Sequence, residues 1–317
     1  MYSYTGLERI LRAKAMKKSD LTKELHISSR TIAKIAKGEK LSDRVLQKLC
    51  RYFSCAVGEL FCHIPDNPIL AHLREEKAHK ISGGLYHELQ IRLTYNSNHM
   101  EGSQLSEDQT RRIFETNTIG TGDSLPVDDI IETVNHFRAI DYCLDVAEEP
   151  LTETIIKAFH ALLKSRTKDE TLSWFRVGDY KLRPNTVGGK ETAAPEEVAE
   201  KIRQLLAIYH QKTTQTFENI VSFHWQFECI HPFQDGNGRV GRLIALKECL
   251  KNNLLPFLLE DSKKYYYYRG LKEYERDPLY LLDTCRDGQD TFRCLLERFA
   301  IPAPKETKNG STINVVI

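Results

Sequence analysis

Apolar residues recur at intervals of three and four along most of this chain, the spacing of helices with one buried face. From Leu85 to about Ala300 the pattern is almost entirely helical, so we predict a mainly α fold. The helices are expected at about 128–147, 151–165, 196–211, 216–230, 239–253, 262–275 and 286–299. The sequence from Ser106 to Gln109 is that of a capping box and predicts another helix directly after it.

One stretch interrupts this helical spacing. Residues 175–192 are rich in Gly, Arg and Thr and include Pro184, a composition that favours a β-hairpin or an extended flap. Residues 65–84 combine Pro and Gly clusters with a charged segment, and we expect a connector with one short helix there. Residues 303–317 are expected to form a polar tail with an apolar end.

Short helices are predicted between residues 1 and 61. One covers Leu21 to Leu25, and a second runs from Ser29 to Gly38 with Ser28 or Ser29 as its cap. Two short helices joined by a tight turn, inside a unit of four or five helices, are typical of a helix-turn-helix. This segment resembles the Cro/repressor-type helix-turn-helix family, which implies a small DNA-binding domain over residues 1–64.

The charge of this segment agrees with that resemblance. The whole chain has a net charge of +1, yet residues 1–61 hold thirteen Lys and Arg against six Asp and Glu. If Ser29 to Lys37 is the helix that enters the DNA groove, then Arg30, Lys34 and Lys37 point outward toward phosphates. A solvated basic face on a module that binds proteins is the alternative.

Composition sets further limits. The chain is 41% hydrophobic and 28% charged, as in ordinary globular proteins. Its eight cysteines include no C-x-x-C pair, which argues against a zinc site and for a reducing compartment. No secretory signal and no long apolar run is present, so we expect a cytoplasmic protein without a membrane span.

The run from His231 to Arg242, H-P-F-Q-D-G-N-G-R-V-G-R, is the strongest chemical signal. Glycines on both sides of Asn237 allow backbone N–H groups to converge on an anion at the start of the next helix. Two arginines in the first turn of that helix oppose its dipole unless a phosphate is bound. A packed turn, with Asp235 paired to Arg239, is one alternative, and a calcium loop is another.

This run matches the motif of the Fic family, H-P-F-x-[DE]-G-N-G-R-x-x-R, at every specified position, and the likeness extends over residues 85–302. The resemblance implies an all-helical core with a flap and transfer of AMP from ATP to a protein hydroxyl group. In that reaction His231 would deprotonate the target Tyr, Ser or Thr, and Asp235 would hold Mg²⁺. The Doc branch, which phosphorylates, carries Lys at the position of Gly238.

The same resemblance assigns nucleotide contacts along the motif, at the flap tip and at a tyrosine pair. A plain hairpin tip and ordinary packing of tyrosines are the alternatives at the last two places. The family often has Asn eight positions after the tyrosine pair, where this chain has Glu275. The residues expected to contact nucleotide are Asn185, Thr186, Val187, Gly188, Asp235, Gly236, Asn237, Gly238, Arg239, Val240, Gly241, Arg242, Tyr267 and Tyr268.

Residues 97–102, S-N-H-M-E-G, match the inhibitory pattern [ST]-x-x-x-E-[GN] of a Fic subgroup. The resemblance implies that Glu101 pairs with Arg242 and occupies the space of the γ-phosphate, from a helix near 85–102 that also carries Ser97. A surface carboxylate before a Gly102 cap is the alternative.

We therefore expect a Mg²⁺-dependent protein adenylyltransferase that inhibits itself and has an N-terminal domain that binds DNA or a partner. The alternatives are a transcription regulator whose Fic-like part senses nucleotide, an interaction scaffold, and an enzyme that uses Glu101 to remove AMP. Self-association into a homodimer is a further expectation, because both similar families often form oligomers.

Overall fold

The computed structural model describes residues 2–63, 67–120 and 124–304, without the side chains of Cys62 and His63. The chain is mainly helical, as its periodicity predicts. Most of the predicted tail, from position 305 on, lies outside the described residues, as do Pro65 and Asp66 of the predicted connector.

The N-terminal helices surround a core of their own, in which Leu7, Leu21, Leu49 and Leu60 are fully buried. Strand β1 (Tyr2–Ser3) pairs antiparallel with β2 (Cys62–His63), so the two ends of this unit are joined. The helices between them are α1 (Thr5–Ala13), α2 (Asp20–Leu25), α3 (Ser29–Ala36), α4 (Asp43–Phe53) and α5 (Val57–Leu60).

Helices α2 and α3 form the predicted helix-turn-helix. His26 ends α2 in the left-handed conformation, at φ 50°. Ser28 caps α3, because its hydroxyl accepts a hydrogen bond from the Thr31 N–H at 3.2 Å. Gly38, which the sequence places at the end of this helix, has φ +63° just beyond it.

The rest of the chain forms a larger helical body. Two short 3₁₀ turns, Lys168–Thr171 and Asp261–Lys263, lie between its helices. The helices are α6 (Pro68–His79), α7 (Leu85–Met100), α8 (Glu107–Thr116), α9 (Val127–Asp145), α10 (Glu153–Lys164), α11 (Pro195–Tyr209), α12 (Phe217–Ile230), α13 (Asn237–Lys251), α14 (Lys264–Glu273) and α15 (Leu279–Arg298).

Helix α13 lies at the centre of this body. It is buried along nearly its whole length and packs against α7, α9, α10 and α12. Its buried positions include polar and charged residues as well as apolar ones, and they lie on every side of the helix, unlike those of the amphipathic surface helices. The motif run forms the loop before α13 and its first turns, so this packing brings side chains from four other helices to one place.

Two predicted elements differ from the structure. Helix α15 begins at Leu279 rather than near 286, because Pro278 occupies its N-cap and the Asp277 carboxylate accepts the Leu279 N–H at 3.0 Å. The hairpin predicted over 175–192 has short strands only, β3 (Thr186–Val187) and β4 (Lys190–Glu191), paired antiparallel. In the stretch before them, turns and bends occupy residues 177–179 and 182–183, and the other residues have no regular structure.

Helix α6 lies within the predicted connector, yet it packs into the larger core through Ile69, Leu70 and Leu73. The Asn67 side-chain amide also donates a hydrogen bond to the Leu250 carbonyl. The bounds 1–64, 65–84 and 85–302 stay a prediction. Among the described residues, no helix combines the length and apolarity that crossing a bilayer requires.

Candidate functional site

The loop that carries the motif is fixed on both sides. His231 ends α12 in the left-handed conformation, at φ 51°, and its N–H donates to the Phe227 carbonyl at 2.9 Å. Phe233 is fully buried and stacks on His160, with ring centroids 4.0 Å apart. These contacts hold the imidazole of His231 at the edge of the loop.

Asn237 closes this loop from within. Its Oδ1 accepts the Phe233 N–H at 2.8 Å, and its Nδ2 donates to the Phe233 carbonyl at 2.8 Å. Gly236 adopts φ +80°, in the left-handed region that favours glycine. The Asn237 side chain therefore stabilises the turn, and its predicted contact with nucleotide stays a prediction.

His231 is held in its neutral form. Burial lowers the pKa of His231 to about 4, and the positive charge of Lys181 contributes to the same shift. The nearest carboxyl group is that of Glu228, with Oε2 4.0 Å from Nδ1 of His231. Burial raises the pKa of Glu228 to about 8, so this group is mostly uncharged at neutral pH.

Asp235 is half-exposed, but one of its oxygens is already occupied. Oδ2 lies 2.7 Å from the Lys164 ammonium and 3.1 Å from the Arg239 guanidinium. Burial alone would raise the pKa of Asp235, yet the charges of Arg239 and Lys164 hold it well below its usual range. The pairing of Asp235 with Arg239, which the sequence left as an alternative, thus exists.

A buried charge cluster lies behind Asp235. The Lys164 ammonium, 2% exposed, is 2.6 Å from Glu132 on α9 and 2.6 Å from Asp169 in a 3₁₀ turn. Arg239 also pairs with Glu132. Three carboxylates therefore share two cations, and none of Glu132, Lys164 and Asp169 was predicted, because no spacing in the sequence joins α9, α10 and α13.

This donor set fits a hard divalent cation. Glu132, Asp169 and Asp235 each present a carboxylate oxygen within 4.8 Å of the others. Such oxygens are the ligands that Mg²⁺ prefers. Lys164 bonds all three carboxylates, at 2.6, 2.6 and 2.7 Å, so a metal ion bound by this set would replace contacts of its ammonium group.

Arg242, 5% exposed, is bound entirely by the end of α7. Its Nε donates to the Ser97 hydroxyl and its Nη2 to the Ser97 carbonyl, both at 2.9 Å. The Glu101 carboxylate lies 2.7 Å from Nη2. A side chain at Gly238 would place its Cβ 2.2 Å from Glu101, so only glycine permits this close approach.

The two arginines of the motif therefore bind different carboxylates. Arg239 belongs to the Glu132 cluster, whereas Arg242 belongs to the end of α7. Val240 is fully buried in the core, and Gly241 packs closely against Glu228. The predicted nucleotide contacts of these positions stay predictions.

The hairpin lies beside the loop. The Asn185 amide donates to the Phe233 carbonyl at 3.1 Å, while Thr186, Val187 and Gly188 are exposed. Lys181, which the sequence analysis missed, is buried under this hairpin.

The predicted tyrosine pair is divided between two environments. Tyr267 is 1% exposed, and its hydroxyl lies 2.7 Å from Nε2 of His224. Tyr268 is partly exposed and donates to the Met100 carbonyl at 3.0 Å, next to Glu101. Only Tyr268 thus borders the end of α7 through its hydroxyl group.

On the N-terminal unit, Arg30 and Lys37 are exposed on and just after α3. Lys34 is partly exposed, with its ammonium 3.9 Å from Glu39. Arg30 and Lys34 lie on α3, the second helix of the helix-turn-helix, and Lys37 lies at its C-cap.

Residues 150–249 match the Fic/DOC family, and residues 6–66 match the Cro/C1-type HTH DNA-binding domain. A probable protein adenylyltransferase of Aquifex aeolicus is 30% identical over 104 residues, 32% of this chain and 32% of that protein. The protein adenylyltransferase Fic of Drosophila melanogaster is 25% identical over 182 residues, 56% of this chain and 36% of that protein. The chain spans about a third of the length of these curated relatives.

A Fic domain containing signaling protein from Bacteroides thetaiotaomicron is similar in structure, with a TM-score of 0.57. The two are 23% identical, and the match covers 73% of this chain and 94% of that one. At this identity the likeness shows the fold of the larger helical body.

Proposed function

We propose that this chain, which carries a Fic/DOC domain and a Cro/C1-type helix-turn-helix domain, transfers AMP from ATP to a hydroxyl side chain of a target protein or of itself. Its Fic relatives are named protein adenylyltransferases. The observation that carries the proposal is that His231, at the end of α12, is followed directly by the turn at Gly236 and by the buried α13 with Arg242 in its first turns. The catalytic domain would cover residues 85–302.

His231 acts as the general base in this reaction. Its imidazole is neutral at pH 7, because its pKa is about 4, and it accepts the proton of a Tyr, Ser or Thr hydroxyl group. The hydroxyl oxygen attacks the α-phosphorus of ATP and forms a new P–O bond. The bond from that phosphorus to the bridging oxygen breaks, and pyrophosphate leaves.

The chain offers several groups to the triphosphate. The N–H groups at the start of α13 point toward an anion bound there, and the helix dipole favours its charge. Arg242 and Arg239 would bind the β- and γ-phosphates, Arg242 in exchange for Glu101 and Arg239 in exchange for a contact to Glu132 or Asp235. Asp235 would hold Mg²⁺, which when bound neutralises charge on the α- and β-phosphates.

Glu101 acts as an intramolecular inhibitor in this proposal. Its carboxylate occupies the guanidinium of Arg242, and it approaches the backbone at Gly238 where a phosphate would lie. Arg242 is buried and has Ser97 as its other partner, so it cannot reach a phosphate elsewhere without leaving α7. The pair therefore competes directly with productive binding of ATP.

The test compares Glu101→Gly, His231→Ala and the unchanged chain, incubated separately with α- and γ-labelled ATP. We expect label only from the α position and a rise of more than about tenfold for Glu101→Gly, since one buried ion pair is removed. His231→Ala should take no label.

Gln104→Gly is the matched control, because Gln104 is exposed in the segment that directly follows the turn of Glu101 and does not bind Arg242. Label from γ-ATP would contradict AMP transfer. Equal labelling of Glu101→Gly and Gln104→Gly would contradict inhibition by Glu101.

We also propose that the N-terminal domain binds DNA through Arg30, Lys34 and Lys37. The match of residues 6–66 to a DNA-binding domain and the exposure of these cations on one helix support this.

A further inference from the structure

Lys181 is a buried cation without a carboxylate partner. It is 2% exposed, and it forms no ion pair with any residue in the described ranges. Its ammonium group instead donates to the Asn185 side-chain oxygen at 2.7 Å and to the Thr192 hydroxyl at 2.6 Å. Burying a charge against neutral oxygens alone is unfavourable, so a gain in stability does not explain a lysine at this position.

The two partners of Lys181 are the two ends of the hairpin. Asn185 directly precedes β3, and Thr192 directly follows β4. The ends also bind each other, because the Thr192 N–H and hydroxyl both donate to the Asn185 carbonyl, at 3.3 and 3.0 Å. Lys181 therefore completes a closed ring of hydrogen bonds at the stem of the hairpin.

The same ring is attached to the loop that carries His231. The Lys181 N–H donates to the Pro232 carbonyl at 3.0 Å, and the Asn185 amide donates to the Phe233 carbonyl at 3.1 Å. That carbonyl also accepts from Asn237 at 2.8 Å. One continuous polar network thus joins the hairpin stem to the turn before α13.

The strands themselves hold the hairpin weakly. Each has two residues, all of them exposed, and the turn between them is formed by two glycines with positive φ. An isolated two-stranded hairpin of this kind is marginal in water. Its orientation must come from its stem, and the stem is held by Lys181.

We propose that Lys181 is a positioning residue, which fixes the hairpin stem against the loop of His231 and so aligns a target chain with the base. The alignment of a target chain rests on the proposed AMP transfer, whereas the holding of the hairpin does not. Burial lowers the pKa of Lys181 to about 8, which shows that the fold disfavours this charge. Its replacement by a neutral side chain should therefore loosen the hairpin without destabilising the whole fold.

Hydrogen exchange of the full chain tests whether Lys181 holds the hairpin stem, whatever reaction the protein catalyses. For Lys181→Met we expect exchange across 183–193 to rise about tenfold or more, with α12 and α13 unchanged, because only local opening is affected. The melting temperature should equal or exceed that of the unchanged chain. Lys201→Met, at an exposed lysine of α11, is the control.

Unchanged exchange at 183–193 would overturn the proposal, and so would a clear drop in melting temperature together with faster exchange throughout. Thr192→Val keeps Lys181 and removes the hydroxyl group that binds both Lys181 and Asn185. This variant should also raise exchange at 183–193, to a smaller degree. Unchanged exchange in this variant would contradict the ring of hydrogen bonds at the hairpin stem.

The functional step is tested in the Glu101→Gly background. Lys181→Met should bind mant-ATP with an affinity within about twofold, yet take α-label at least about tenfold more slowly, a loss of about 1.4 kcal/mol at the transition state. A parallel loss of mant-ATP affinity in Lys181→Met, or undiminished labelling of this variant, would contradict the role of Lys181 in aligning the target. If Glu101→Gly itself takes no label, the proposed function fails, while the exchange result still decides the role of Lys181.

Discussion

At the scale of single residues, Ser97 is as deeply engaged with Arg242 as Glu101 is. It is 1% exposed and accepts two of the three hydrogen bonds that Arg242 donates to the end of α7. The contact proposed to be inhibitory therefore consists of three hydrogen bonds from one helical turn, and the ion pair with Glu101 is one of them.

We predict that Ser97→Ala weakens this contact. Loss of one hydrogen bond to a charged group costs about 1.5–3 kcal/mol, so AMP labelling should rise, but less than in Glu101→Gly. Labelling rates of both variants and of the double variant measure this. Further activation of the double variant beyond Glu101→Gly would contradict a shared contact.

A second prediction at this scale concerns the base. The pKa of His231 is about 4, so the imidazole remains a proton acceptor as the pH falls from 8 to 5. Labelling by Glu101→Gly should therefore stay nearly flat over that range and fall only as His231 gains a proton nearer pH 4. A pH–rate profile with circular dichroism at each pH tests this. A midpoint near 6.5, where free histidine titrates, would show that His231 is not the desolvated base.

At the scale of elements, local sequence predicts helix starts where a side chain supplies the cap. Ser106 and Gln109 form the capping box that their sequence predicts, with bonds of 3.2 and 2.8 Å. Helix α15 begins before the predicted position, because its N-cap is Pro278, which forms no capping bond, and the Asp277 carboxylate accepts the Leu279 N–H instead. Two-residue strands carry almost no periodicity, which is why the sequence predicts a hairpin or an extended flap over 175–192 without the bounds of β3 and β4.

We predict that Ser106→Ala lowers the free energy of unfolding by about 1 kcal/mol, through loss of the cap of α8. For a domain of this size the melting temperature should fall by about 2–4 °C. Ser262→Ala, at an exposed serine without a capping bond, should change it little. Equal melting temperatures for the two variants would contradict the cap.

At the scale of the whole molecule, buried neutral histidines link stability to pH. Burial lowers the pKa of His160 and His224 to about 3 and that of His210 to about 4. The unfolded chain binds protons at these sites below about pH 6.5, whereas the folded chain does not. Stability should therefore decrease as the pH falls from 6.5 toward 4.

Melting temperatures at pH 7.5 and 5.0 test this link. We expect a fall of several degrees at pH 5.0, and His210→Gln should make that fall smaller. His79→Gln, at an exposed histidine, should leave it unchanged. A pH dependence that is the same in both variants would contradict the role of His210.

The N-terminal domain gives a prediction of its own. If Arg30, Lys34 and Lys37 contact phosphates, their joint replacement by Gln should weaken DNA binding and reduce the slope of log K against log salt by about 3. Titrations of labelled duplex at two or more salt concentrations measure this slope. An unchanged slope would assign these cations to a solvated face.

Local sequence patterns suffice to predict the mainly α fold, the helix-turn-helix and the chemical content of the run from His231 to Arg242. Such features are local, because periodicity, caps and consecutive residues are read within a few turns of chain. The polar contacts depend on tertiary packing: Arg239 pairs with Glu132, Asp235 pairs with Lys164, and Lys181 bonds both ends of the hairpin. Those contacts join residues far apart in sequence, and packing around α13 brings them together.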